Sequence, residues 1–223
     1  MVAKSLCVDL DVRPLVVPGT HAEAVRVPWQ ERLPVLDGTH VRLRELQPSD
    51  AISLVAMLTT EEMTRFISPP PTSREGFERF IAWTIRERAC GAFVGYAAMV
   101  RGLETPVGLF QVRRLDATFE LAEWGFAIGS PFWGTGVFEE GATLVLDFVF
   151  NTLNVHRLEA RAAVRNGRGH GALLKMGAVP EGILRKSLLH EGRHVDQVMY
   201  SMLNEDWQAR DATTHATARR LLH

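Results

Sequence analysis

Two glycines one residue apart, Gly134 and Gly136, stand between a strand-like and a helix-like run in the segment SPFWGTGVFEEG. The first N–H groups of a helix have no intrahelical partner, and the helix dipole adds roughly half a positive charge there. Glycine also lets the backbone approach a ligand closely and adopt conformations that other residues resist. The segment therefore favours binding of a phosphate or diphosphate group.

Three ligands and one purely structural role compete for this loop. A dinucleotide fingerprint needs a third glycine where Glu139 stands, and a nucleotide-binding P-loop needs a lysine that the loop lacks. The diphosphate of coenzyme A fits a short loop of this kind. A tight turn that binds nothing is the alternative, because two glycines alone are a weak signal.

The loop must be positioned by the elements on either side of it. ELAEWGFAIG predicts a strand before the loop, VFEEGATLVLDFVF a helix after it, and HRLEARAAV the next strand. A strand, a crossover helix and a second strand normally give parallel, right-handed pairing. With the alternating runs upstream and the two strands around HEGR downstream, the sequence predicts one α+β domain. Its sheet is mixed and mostly antiparallel, with about six to seven strands flanked by about four helices.

The composition limits the classes of function. Hydrophobic residues make up 46% and charged residues 23%, as in globular proteins with a buried core, and the formal net charge is -1. This balance gives no reason to expect a nucleic acid or an anionic membrane as partner. Cys7 and Cys90 predict free thiols, and no metal site is expected. Without a signal-peptide or membrane-span pattern, we expect a cytoplasmic protein.

Three motifs in order resemble the GCN5-related N-acetyltransferase superfamily, most closely the branch typified by ribosomal-protein N-terminal acetyltransferases. They are AEWGFAIGSPFWGTGVFEEG, HRLEARAAVRNGRGHGALLKMGA and EGILRKSLLHEGRHVDQVMYSML. The resemblance predicts an N-terminal arm over residues 1–38, an acetyltransferase domain over 39–207 and a polar tail over 208–223. It also implies a site for acetyl-CoA, as co-substrate, between two splayed parallel strands, one ending at Ile128 and the other starting near His156.

The resemblance also implies which residues contact acetyl-CoA. The loop from Trp133 to Val137 matches the family's pyrophosphate loop, and Asn166 matches the asparagine that contacts the pantetheine arm. Phe138 and Gly169 depart from the small residue and the serine that are common at these positions. The implied contacts are Phe126, Ala127, Ile128, Trp133, Gly134, Thr135, Gly136, Val137, Asn166 and Arg168.

Transfer of an acetyl group to an amine needs a group that accepts the amine's proton. Glu123 lies where the branch carries a recurrent glutamate, and we expect it to take this proton through water. The structural alternative is a strand glutamate paired with an arginine. Glu120 is a second candidate, but strand alternation places it on the opposite face. Leu173 occupies the position of the tyrosine that serves as general acid in many members.

The leading hypothesis is therefore an acetyl-CoA-dependent N-acetyltransferase that acts by direct transfer on a primary amine. An α-amine, with a pKa near 7.7–8.0 against about 10.4 for lysine, suits a site with one remote carboxylate. This favours a protein or peptide N-terminus, while small amines such as polyamines and aminoglycosides stay open. A non-catalytic acyl-CoA sensor or scaffold is the alternative class. A homodimer is left open.

Overall fold

The structure, a computed structural model, describes residues 28–210. Its helices are α1 (Pro28–Glu31), α2 (Ala51–Leu58), α3 (Glu61–Thr64), α4 (Arg74–Ala89), α5 (Val137–Asn151), α6 (Gly167–Lys175) and α7 (204–210). Its strands are β1 (Leu36–Asp37), β2 (Val41–Glu45), β3 (Phe93–Val100), β4 (Gly108–Arg114), β5 (Leu121–Ile128), β6 (Arg157–Ala163), β7 (Val179–His190) and β8 (Arg193–Leu203). Short 3-10 turns at Pro48–Asp50 and Ser130–Phe132 precede α2 and the glycine loop.

All eight strands belong to one sheet with the order β1-β2-β3-β4-β5-β6-β8-β7. Every neighbouring pair is antiparallel except β5 and β6, which are parallel and joined by α5. The predicted fold class and the central parallel pair are therefore confirmed. The strand count is higher than predicted because β1 has two residues, too few for an alternating pattern to reveal.

The core is divided between the two faces of the sheet. On one face α5 buries Val145, Phe148 and Val149. On the other face α2 and α4 cover the first half of the sheet with Leu54, Ile81 and similar side chains. Full burial of one such side chain stabilises the fold by about 1.5–3 kcal/mol.

The start of α4 is fixed by a short local sequence. Three prolines, Pro69 to Pro71, prevent an earlier helical turn, and the Ser73 side chain then accepts a hydrogen bond from the Gly76 N–H (3.1 Å). The chain between α3 and α4 is thereby held in one place beside the sheet. This segment later forms one wall of the candidate site.

Both ends of the described chain pack onto the domain. Trp29 and Leu33, which belong to the predicted arm, are buried, and the Trp29 ring lies 5.7 Å from that of Phe119. Residues 1–27 of the arm lie outside the described residues. Near the other end Trp207 is buried and donates its indole N–H to Asp147 Oδ1 (2.8 Å). The first three residues of the predicted tail, 208–210, continue α7, and the remainder lies outside the described residues.

Within residues 28–210, no helix is both long enough and apolar enough to cross a membrane. The same range contains no group of three or more His, Cys, Asp or Glu side chains placed to hold a metal ion. Cys90 is a free, exposed thiol, and Cys7 lies outside the described residues.

Candidate functional site

The parallel strands β5 and β6 separate partway along their length. They pair from Leu121 to Glu123 on β5, and β5 then continues to Ile128 without a partner on this side among the described residues. Backbone groups alternate in direction along a strand. The Glu120 carbonyl points towards β6, where it accepts a hydrogen bond from the Arg157 N–H. Phe126 lies six residues after Glu120, so its backbone N–H and C=O also point towards β6. It comes after Glu123, the last paired residue of β5, so these groups face the gap.

The glycine loop lies at the open end of this gap. Gly134 and Gly136 have φ values of 73° and 89°, in the left-handed region that favours glycine. A Cβ at either position would meet nothing within 4 Å, so packing does not demand glycine there. The left-handed backbone conformation of the turn requires glycine at both positions.

The first turn of α5 offers free amide hydrogens to a ligand. No side chain caps this helix, which begins at Val137 directly after Gly136. The two acidic residues of its first turn are engaged elsewhere: Glu139 pairs with Lys175 (2.5 Å), and Glu140 Oε1 accepts from His40 N–H (2.9 Å). The end of the helix dipole and these amides therefore form a site suited to an anion.

Trp133 and Arg168 connect the two sides of the gap. The Trp133 indole N–H donates to the Ile128 carbonyl (2.7 Å) at the end of β5. The Arg168 guanidinium, in the first turn of α6, lies 3.6 Å from the centre of the Trp133 ring. Such cation–π contacts contribute about 0.5–2 kcal/mol, depending on how far the pair is desolvated.

The first turn of α6 forms the wall opposite β5. The Asn166 side chain caps it by accepting from Gly169 N–H (2.9 Å), which explains why asparagine stands there. A Cβ on Gly169 would lie 2.6 Å from the Asn166 side chain, so the serine that is common in the family would require that side chain to shift. The asparagine is thus both a structural cap and a residue of the wall.

A cavity of about 770 Å³ unites these elements. It is lined by nine of the ten residues predicted to contact acetyl-CoA: Phe126, Ala127, Ile128, Trp133, Gly134, Thr135, Gly136, Asn166 and Arg168. Val137 does not line the cavity because its side chain is buried in the core, although it contributes the first backbone amide of α5. The contacts with acetyl-CoA themselves stay a prediction.

One wall of the cavity is formed by residues that were not among the predicted contacts. It comes from α3 and the chain after it, and its members are Glu62, Met63, Arg65, Phe66 and Ile67. The same cavity includes Phe138, Glu139, Gly171, Ala172 and Lys175, from α5 and α6. The signal for the first group was a pair of apolar residues, Phe66 and Ile67, next to three prolines. It did not show which part of the sheet they would face.

Phe138 stands where the family commonly has a small residue. Its ring packs against two other aromatic rings and not across the loop. Its ring lies 4.5 Å from the Phe126 ring and 6.2 Å from the Phe110 ring. The three rings form an aromatic cluster at the base of the cavity. The helix can therefore begin at the loop with a bulky second residue.

Glu123 lies outside the lining of this cavity. Its carboxylate is held between Arg113 Nη2 on β4 (2.5 Å) and Arg161 Nε on β6 (3.3 Å), and the side chain is 21% exposed. The ion pairs of the structural alternative are therefore present. Strand alternation places Glu123 on the same face of β5 as Ala127, a lining residue four positions further along.

The ion pairs around Glu123 continue across the open face of the sheet. Arg157 binds both Glu159 (3.0 Å) and Glu181, and the Ser201 hydroxyl also donates to Glu181 (2.6 Å). The Arg157 guanidinium and this hydroxyl lower the pKa of Glu181 to about 2. The glutamates of this face are thus paired with arginines.

A splayed parallel pair with an anion site at its open end is suited to an extended ligand that carries phosphate groups. Residues 40–179 match the model of the acetyltransferase (GNAT) domain family. The chain belongs to this family. It is an N-acetyltransferase that takes its acetyl group from acetyl-CoA, as the sequence predicted.

Several known proteins are similar to this chain. YdaF of Bacillus subtilis (strain 168) is 26% identical over 180 residues, 76% of this chain and 94% of that protein. The [ribosomal protein uS5]-alanine N-acetyltransferase of Escherichia coli (strain K12) is 28% identical over 90 residues, 40% of this chain and 46% of that protein. The structure of Mycobacterium smegmatis RimJ with CoA-disulfide has the same fold, with a TM-score of 0.69 at 19% identity over 77% of this chain and 85% of that one.

Proposed function

We propose that this acetyltransferase acetylates the α-amine at the N-terminus of a polypeptide. In this proposal the acetyl group passes directly from acetyl-CoA, Glu123 receives the proton of the amine, and the loop from Trp133 to Val137 holds the CoA diphosphate. The main support for this acceptor is the distribution of charge around the cavity and on the adjoining sheet face.

The residues present fit the acetyl donor. The glycine loop and the uncapped amides of α5 suit a diphosphate, and the unpaired backbone of Phe126 suits the amide groups of an extended pantetheine arm. Asn166 and Arg168 approach the same gap from α6. When bound, acetyl-CoA supplies an activated thioester. The chain's own groups hold it, exclude water and receive the proton.

The charges of the site disfavour polycationic acceptors such as polyamines and aminoglycosides. Two carboxylates, Glu62 and Glu139, and three cations, Arg65, Arg168 and Lys175, line the cavity. Glu139 is already paired with Lys175. The glutamates of the open sheet face are likewise paired with arginines. A polycation would have to break several ion pairs to bind, whereas a peptide with one α-ammonium group would not.

An α-amine also matches the weak base that the site offers. Its pKa near 7.7–8.0 leaves a useful neutral fraction at neutral pH, whereas a lysine side chain near 10.4 is almost wholly charged. The neutral amine forms the new C–N bond as the C–S bond breaks and the thiolate leaves. The proton lost by the amine passes to the Glu123 carboxylate through water. The apolar wall of Met63, Phe66 and Ile67 offers a surface for the first side chain of a peptide.

The similar proteins support the same acceptor class. The Escherichia coli relative is named for acetylating an alanine of a ribosomal protein. That name describes the relative, over less than half of either chain. It adds to the argument from charge without replacing it.

The proposal is tested by thiol release from acetyl-CoA with three acceptors: a short peptide with a free N-terminus, a polyamine and an aminoglycoside. We expect the peptide to give the highest kcat/KM. Glu123→Gln is expected to lower kcat by about 10²–10⁴-fold, the usual contribution of a general base. Arg113→Gln removes an ion-pair partner of the carboxylate and serves as a control for altered packing. A higher kcat/KM for either small amine would overturn the choice of acceptor, and unchanged kcat in Glu123→Gln would remove Glu123 from the reaction.

A further inference from the structure

His170, in the first turns of α6, has a hydrogen-bond partner at each ring nitrogen. Nδ1 lies 2.7 Å from the Tyr200 hydroxyl on β8, and Nε2 lies 3.1 Å from the Val164 carbonyl just after β6. The two rings lie 5.8 Å apart between centres. His170 itself does not line the cavity, although its neighbours on both sides do.

The partners assign the protons of this group. A carbonyl oxygen can only accept, so Nε2 of His170 carries the hydrogen that is donated to Val164. In the neutral ring Nδ1 then has a free lone pair and accepts from the Tyr200 O–H. Burial raises the pKa of Tyr200, so its hydroxyl keeps the proton it donates. The imidazole therefore bridges α6 to the Val164 carbonyl and to Tyr200, and its neutral form has the hydrogen on Nε2.

This bridge supports a helix that is weak by its own sequence. α6 has nine residues, three of them glycine, and glycine is the poorest helix former apart from proline. Isolated helices shorter than about 12–15 residues are marginal in water. Leu173 is the residue that α6 buries in the core. Packing gives no reason for Gly167 and Gly171, because a Cβ at either would meet nothing within 4 Å.

The bridge acts on the wall of the cavity. Asn166, Arg168 and Gly169 stand directly before His170 on the same turn, and all three line the cavity. Val164 directly follows β6 and Tyr200 lies on β8, and these two antiparallel strands support α6. A shift of His170 would therefore move the capped turn away from the glycine loop.

We propose that His170 is a positioning residue for acetyl-CoA, which it serves by fixing the first turn of α6 to β6 and β8. The inference rests on the proposed function in one respect: the cavity must be the site of acetyl-CoA. It does not depend on which amine is the acceptor. His170 acts through Asn166 and the neighbouring amides and does not touch the reacting atoms.

The experiment compares His170→Ala and Tyr200→Phe with His40→Ala, which removes an exposed histidine whose backbone N–H makes the contact to Glu140. Loss of both bridging hydrogen bonds is expected to raise the Kd for CoA and the KM for acetyl-CoA about tenfold in His170→Ala. Tyr200→Phe keeps the bond to Val164 and is expected to show about a threefold rise. The acceptor KM and kcat at saturating acetyl-CoA should stay within about twofold of the unsubstituted protein. His40→Ala should change none of these values.

A second readout needs no variant. The ¹⁵N spectrum of the histidine side chains is expected to show His170 as the Nε2–H tautomer, with the Nδ1 signal moving in Tyr200→Phe. Unchanged CoA affinity in His170→Ala, or an Nδ1–H tautomer in the unsubstituted protein, would overturn the inference. If His170→Ala does not fold, Tyr200→Phe and the spectrum decide the question. Activity on a small amine with the expected rise in Kd would refute the proposed acceptor and leave the positioning role intact.

Discussion

Replacement of Gly136 by alanine separates backbone strain from ligand binding. Gly136 has φ 89° and Gly102, in the turn between β3 and β4, has φ 90°. A Cβ at either position would meet nothing within 4 Å. The two substitutions therefore impose the same strain on the fold. The two sites differ in location: Gly136 lines the cavity, and Gly102 lies outside it.

The size of each effect follows from this geometry. A left-handed alanine costs roughly 1–2 kcal/mol. In a domain of this size the melting temperature falls by about 2–4 °C for each kcal/mol, equally in both variants. Because Gly136 lines the cavity, we expect the new methyl group also to hinder the approach of a diphosphate to the loop amides. Loss of one charge-assisted hydrogen bond, worth about 1.5–3 kcal/mol, raises the Kd for CoA by about 10–150-fold.

Calorimetric titration with CoA and thermal unfolding measure the two effects on the same samples. We expect Gly136→Ala to lose affinity, while Gly102→Ala binds CoA like the unsubstituted protein. Gly134 and Gly192, with φ values of 73° and 74°, form a second matched pair with the same expectation. Equal CoA affinity in Gly136→Ala and Gly102→Ala would refute the assignment of the diphosphate to this loop.

Three further outcomes are expected. Arg168→Gln removes the contact with Trp133 and should raise the Kd for CoA about 3–10-fold by titration calorimetry; an unchanged Kd would mean that the contact does not shape the site. Glu181→Gln should lower the free energy of unfolding in urea by up to about 1 kcal/mol at pH 6, because the carboxylate is partly exposed. Since the folded pKa of Glu181 is about 2 against an ordinary 4.5, this difference should shrink as the pH falls from 5 towards 2, and a difference that grows instead would contradict the ion pair. Phe148→Ala, whose buried ring meets Tyr96 edge to face, should cost about 3–5 kcal/mol in the same assay, and a loss under 1 kcal/mol would show a looser core.

The part of the site that lies along one stretch of chain was predictable. The strand, the glycine loop and the helix from Glu120 to Asn151 are local patterns, and the loop's two positive φ values follow from its glycines. The crossover between β5 and β6 followed from chain order and handedness alone. The cavity accordingly contains nine of the ten predicted contact residues.

The parts that depend on distant segments were not predictable. The segment from Glu62 to Ile67 precedes the loop by some seventy residues, and its place against β5 is set by how α2 and α4 pack on the sheet. The arginine partners of Glu123 come from β4 and β6 and depend on strand register. The contact of His170 with Tyr200 could not be predicted because the two residues are thirty positions apart in the chain.

The proposed acceptor is tested by locating the acetyl group on a peptide that offers both an α-amine and a lysine amine. A peptide with a free N-terminus and one internal lysine is incubated with acetyl-CoA and the protein, and the product is fragmented in a mass spectrometer. We expect the added acetyl group to be on the α-amine of the N-terminal residue. Acetylation of the lysine, or release of CoA without any acetylated peptide, would contradict it.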